Sequence, residues 1–167
     1  MKQVLSSINP EGSNAKKAPC VVSGYTIFGL LKSSVNNNLE DFFKPKIVWA
    51  RLMRLTRSDI EAFPRFCQVP SGIFTVDSLC FIVGDKLDHL ISILNSEYAA
   101  YYFFNKVATL DNGGFQMRQQ YIENIPIPPV SQVDKGPCEA FGFTIEEKWF
   151  ISDYVRLRKE EILDAER

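Results

Sequence analysis

The residue types best suited to recognition chemistry sit in GGFQMRQQYIENIPIPP, residues 113–129. Glycines at 113 and 114 let the backbone turn sharply or lie close against a ligand. Gln116, Arg118, Gln119 and Gln120 then supply donors and acceptors that match base edges, a guanidinium for guanine and a glutamine amide for adenine. Tyr121, Ile122 and Ile125, at helical spacing, would anchor this segment to a core, and Pro126, Pro128 and Pro129 would end its helix. An ordinary exposed polar turn is the other reading of the same residues. A second concentration lies upstream, where Lys44, Lys46, Arg51, Arg54, Arg57 and Arg65 are accompanied only by Asp59 and Glu61. Arginine in excess of lysine favours directed contacts to phosphates or base edges. A solvated strand edge guarded by charge fits as well. On a regular strand Arg51 and Arg54 point opposite ways, so which of them would face a ligand stays open.

Covalent and metal chemistry are poorly signalled. His89 is the only histidine and reads as a surface residue on the solvent-leaning side of a helix, a poor base for a Ser-His-Asp triad. Cys20, Cys67, Cys80 and Cys138 form no CxxC pair, which predicts reduced thiols and gives no metal-ligand spacing. Neither GxGxxG nor GxxxxGK[ST] occurs. Asp134 followed by Glu146-Glu147-Lys148 loosely fits the Asp and Glu-x-Lys of metal-dependent nucleases. However, the two glutamates also fit the first turn of a capped helix.

The elements that must position these residues follow from pattern. The chain has 167 residues and a net charge of −1, which suits one domain and excludes a surface that coats nucleic acid throughout. No apolar run reaches the length of a membrane span and the N-terminus lacks a signal-peptide core, so a cytoplasmic setting with no membrane partner is expected. Residues 1–20 read as a loosely held arm or the ragged end of a longer chain. Residues 21–31 read as a strand, followed by a turn at Asn36–Asn38. Ile47 to about Leu55 reads as one strand, and 73–83 as a central strand apolar on both faces. Leu87, Leu90, Ile91, Leu94, Tyr98, Tyr101 and Tyr102 predict one amphipathic helix from an Asp85 N-cap to about Ala108. Thr144-Ile145-Glu146-Glu147 is a capping box that opens a helix to the C-terminus, with a stripe of Ile145, Trp149, Val155 and Ile162. The sum is an α+β domain, a mixed sheet packed with a long amphipathic helix, over residues 21–143, plus a C-terminal helix over 144–167.

KPKIVWAR, FTVDSLCFIVG, LDHLISILNSEYAAYYF and GGFQMRQQYIENIPIPP, in that order, resemble the C-terminal target-recognition domain of TaqI-type adenine methyltransferases. The same domain type closes many single-chain restriction-modification enzymes. Leu94-Asn95-Ser96 and Tyr121 to Pro129 are similar to type I restriction specificity subunits as well. The resemblance covers about residues 44–130. It implies recognition of duplex DNA by a chain without chemistry of its own, beside a methyltransferase or nuclease domain or subunit. S-adenosylmethionine would belong to that other part, since no Asn-Pro-Pro-aromatic motif or donor-binding glycine motif is present here, and no cofactor is expected in this chain. The DNA-binding residues expected are Arg51, Arg54, Arg57, Arg65, Asn112, Gly113, Gly114, Gln116, Arg118 and Gln119. A different reading keeps the arginines as surface charge. It makes the chain an assembly module that packs through the Trp149 helix and the tyrosine-rich stretch at 98–104.

Overall fold

The computed structural model describes residues 25–28 (backbone only), 39–75, 78–110, 113–128 and 135–165. The expected N-terminal arm, the Asn36–Asn38 turn, Asn112, Pro129 and Asp134 lie outside the described residues. The strands are β1 (Tyr25–Phe28), β2 (Lys46–Ala50), β3 (Leu52–Arg54), β4 (Phe66–Val69), β5 (Leu79–Gly84) and β6 (Gly114–Gln116). The helices are α1 (Leu39–Phe42), α2 (Leu87–Leu94), α3 (Glu97–Lys106), α4 (Gln119–Glu123), α5 (Pro137–Ala140) and α6 (Ile145–Ala165). The fold is α+β. Strands β1, β5, β2 and β4 form one sheet in that order, and β3 pairs with β6 in a second. Every pairing between these strands is antiparallel, where a mixed sheet was expected.

Strand β5 is internal, as its apolar run predicts, although it starts at Leu79 and leaves Ile73 and Phe74 exposed. On one face Ile82 and Cys80 pair with Ile47 and Trp49 of β2, and all four are buried in the main core with α2 and α3. On the other face Phe81 is buried with its ring 5.0 Å from that of Phe42. Burial on both sides is why no polar alternation shows in this stretch. Lys46, which opens β2, is fully buried. Its Nζ donates to the carbonyls of Phe42 and Ile73, each at 2.9 Å. Desolvation holds its ammonium below the ordinary lysine pKa.

The predicted strand from Ile47 to Leu55 breaks at Arg51. There the backbone N–H donates to Ser78 O at 2.9 Å and the chain passes from the first sheet to the second. The helix expected over 85–108 is also two elements. Asn95 ends α2, and Ser96 caps α3 by accepting from Ala99 N at 3.3 Å. The Asn95 amide turns to β4, where Oδ1 accepts from Phe66 N and Nδ2 donates to Phe66 O, both at 2.9 Å. It therefore satisfies both backbone groups of one strand residue. The N-cap of α2 is Lys86, in the left-handed region at φ 58, in place of Asp85. His89 faces inward and is buried, contrary to the surface position expected of it.

Helix α6 opens on the predicted capping box: Glu147 N donates to Thr144 Oγ1 (3.2 Å), and Thr144 N donates to Glu147 Oε2 (2.9 Å). Its buried stripe differs from the expected one. Ile151 and Val155 are buried, with Phe150, Tyr154 and Ile162 packed beside them, whereas Ile145 and Trp149 are 69% and 73% exposed. The aromatic run of α3 supplies the opposing surface, with Tyr101 centred 4.9 Å from Tyr154 and 6.1 Å from Phe150. Residues 98–104 are thus consumed inside the chain. Among the described residues no helix is long and apolar enough to cross a membrane.

Candidate nucleic-acid interface

The two concentrations of recognition residues meet in the second sheet. Strands β3 and β6 pair with Leu52 opposite Gln116, Met53 opposite Phe115 and Arg54 opposite Gly114. Because side chains alternate across a strand, this register sorts the ribbon into two faces. Met53, Phe115 and Met117 point into the core, each at most 1% exposed. Leu52, Arg54, Gln116 and Arg118 point away from it, with Gly114 contributing no side chain opposite Arg54. Trp49 fixes the ribbon from below by donating from Nε1 to Met117 O at 2.8 Å.

On its other side β6 is held by the chain leaving α3. Gln116 N donates to Ala108 O at 3.0 Å, and Leu110 N to Gly114 O at 2.8 Å. Gly113 closes this hairpin, its N–H donating to Leu110 O at 2.9 Å. It has φ +75, a conformation that favours glycine even though an added Cβ would meet nothing within 4 Å. Of the two glycines read as a hinge, Gly113 makes the turn and Gly114 begins the strand. After β6, Arg118 caps α4 with an exposed side chain, and Ile122 and Ile125 bury as anchors, as their spacing predicts. The Gln119 amide donates to Glu123 Oε1 at 2.7 Å. Helix α4 stops at Glu123, before the prolines.

The arginines divide by role. Arg54 and Arg57 are exposed, and Arg57 rides on a turn held by Thr56 N donating to Asp59 Oδ1 at 2.7 Å. Arg51 is exposed too, despite sharing strand parity with the buried Trp49 and Met53, because the chain leaves the first sheet there. That break resolves the opposite-facing problem of Arg51 and Arg54. Arg65 is engaged within the protein: Nη2 donates to Arg54 O at 2.7 Å, and Nη1 pairs with Asp59 Oδ2. Burial acts to raise the Asp59 carboxyl, but the hydrogen bonds from Thr56 and the Arg65 guanidinium together bring it below its ordinary value. Glu61 is paired with Lys159 at 2.9 Å. With these acids matched, the ribbon and its neighbouring turn carry a local positive excess.

Of the nuclease pattern, Asp134 lies outside the described residues. Glu147 closes the capping box, Lys148 lies 3.6 Å from Glu139, and no group of His, Cys, Asp and Glu side chains among the described residues could hold a metal. No protein-family model matches the chain, and neither does any curated protein. The ribbon and its arginines therefore carry the functional reading alone. Sequence reasoning missed Leu52, which shares the outward face with Gln116; its signal was the parity of LMRL, hidden while 47–55 read as one strand. It also missed Trp49 and Asn95 as the residues that hold the ribbon and β4 in place.

Proposed function

We propose that this chain is the sequence-specific DNA-recognition part of a restriction-modification enzyme, of the TaqI-like target-recognition type. It acts in the cytoplasm beside a methyltransferase or nuclease part that brings S-adenosylmethionine and the chemistry. What supports the reading is the β3–β6 pairing, which joins the arginine segment to the glutamine-bearing segment on one outward face. The ribbon is rigidly backed by Met53, Phe115 and Met117. A two-stranded ribbon is among the elements that a DNA major groove admits. Arg51, Arg54 and Arg57 then position the duplex through phosphates, while Gln116 and Arg118 read base edges. Arg65 acts one step back, holding the backbone of Arg54.

The test is retention from a randomised duplex pool at low salt, followed by sequencing. An enriched short motif supports base reading. Retention without enrichment leaves only phosphate binding, and no retention removes DNA as the ligand. One observation favours a second reading, an assembly module: Trp149 and Ile145 stand exposed on the outer side of α6. Concentration-dependent mass by sedimentation, together with passage through heparin unretained, would favour that reading.

A further inference from the structure

We infer that Leu52 and Gln116 act together as one reading unit for an A·T base pair, Gln116 on the adenine and Leu52 against the thymine methyl. This rests on the DNA-recognition reading above and adds a residue and a base pair to it. Leu52 is 45% exposed, although Met53 and Leu55 beside it are each 1% exposed. Its Cα partner across the ribbon is Gln116, so the two side chains share the outward face about 5 Å apart. The Gln116 amide makes no hydrogen bond to another described residue. In the major groove adenine presents N7 as acceptor and N6 as donor, and its partner thymine presents O4 and the C5 methyl. A glutamine amide satisfies the adenine pair of groups in a bidentate contact, and an apolar side chain beside it covers the methyl. Leu52 next to Gln116 is that combination, and it is set on a ribbon whose inner face and backbone are fixed by Phe115, Met117 and Trp49. The absence of a side chain on Gly114 leaves Arg54 clear to reach past this unit.

The experiment starts from the duplex enriched by the full chain and rebuilds it with deoxyuridine in place of each thymine in turn. Binding of the parent chain, Leu52→Ala and Gln116→Ala is read by fluorescence anisotropy. At one A·T pair, loss of the methyl should weaken the parent about fourfold, the worth of one buried methyl. Leu52→Ala should abolish sensitivity to that methyl at that pair alone, and Gln116→Ala should relax choice at the same pair about tenfold. Leu52 lies outside the core, and unchanged circular-dichroism melting of Leu52→Ala checks that the fold is retained. If parent and Leu52→Ala respond alike to deoxyuridine at every position, the unit is overturned while DNA recognition stands. An enriched motif without an A·T pair, or relaxation by Gln116→Ala at another pair, overturns it equally. If no duplex is retained, DNA recognition itself falls, and the unit with it.

Discussion

Arg118 and Arg54 differ in what surrounds them, and that difference sets what each substitution should do. Arg118 follows β6 at the N-cap position of α4, with its side chain exposed. Arg118→Ala should relax choice at one base pair, at a cost of roughly 1–3 kcal/mol there, read by comparing single-base variants of the selected duplex. Arg54→Ala and Arg57→Ala should instead weaken all duplexes alike and reduce the salt slope by about one each. Asp59 permits a prediction without DNA. Its folded pKa lies below the ordinary 3.8, so its bonds from Thr56, together with the clamp on Arg65, contribute stability at neutral pH that is lost as pH falls through the folded value. Asp59→Asn should remove that acid dependence. Solvent screening of this partly exposed pair limits its cost to about 0.5–1 kcal/mol, measured by urea unfolding at pH 7 and pH 3. Residue types alone nominated Arg54, Gln116 and Arg118. They could not separate Arg65 from the other arginines, because its engagement depends on Asp59 and the Arg54 carbonyl being near.

Between elements, the Asn95 amide joins the end of α2 to β4. Asn95→Ala leaves both Phe66 backbone groups without their partners and should cost about 2–3 kcal/mol, seen as a lower urea midpoint at unchanged slope. The Asn-Ser step also explains a misread element. Leu87, Leu90 and Leu94 of α2 and Tyr98, Tyr101 and Tyr102 of α3 all bury. A repeat of three and four therefore runs across the step unbroken, and periodicity reports one helix. Only the side-chain bonds of Asn95 and Ser96 reveal two. The capping box of α6 was legible because its donors and acceptors lie within four residues of each other. The buried stripe of the same helix was not, because both Trp149 and Phe150 are apolar. Contact with Tyr101 decided that Phe150 turns inward.

For the molecule as a whole, a net charge of −1 provides no long-range attraction to DNA, so the proposed binding rests on the local arginines. If Arg51, Arg54 and Arg57 each neutralise one phosphate, the logarithm of affinity should fall with the logarithm of salt at a slope of about −3. Trp149→Ala should leave the melting temperature and duplex retention unchanged, since the indole is 73% exposed on the outer face of α6. A change in sedimentation mass on the same substitution would instead mark that face as an assembly surface.

The α+β class, the central apolar strand, the capped terminal helix and the amide-rich segment anchored by Ile122 and Ile125 are legible in local pattern. Each of these is written in periods of two or three to four residues, or in a cap, all within one short stretch of chain. The tertiary structure alone decided that Leu52 faces Gln116, that Lys46 and His89 are buried, and that Arg65 serves the backbone of Arg54. Those outcomes depend on which distant segments meet and in what register. A strand carries its inward and outward parity in its own residues, but the identity of its neighbour is fixed only when the two backbones pair.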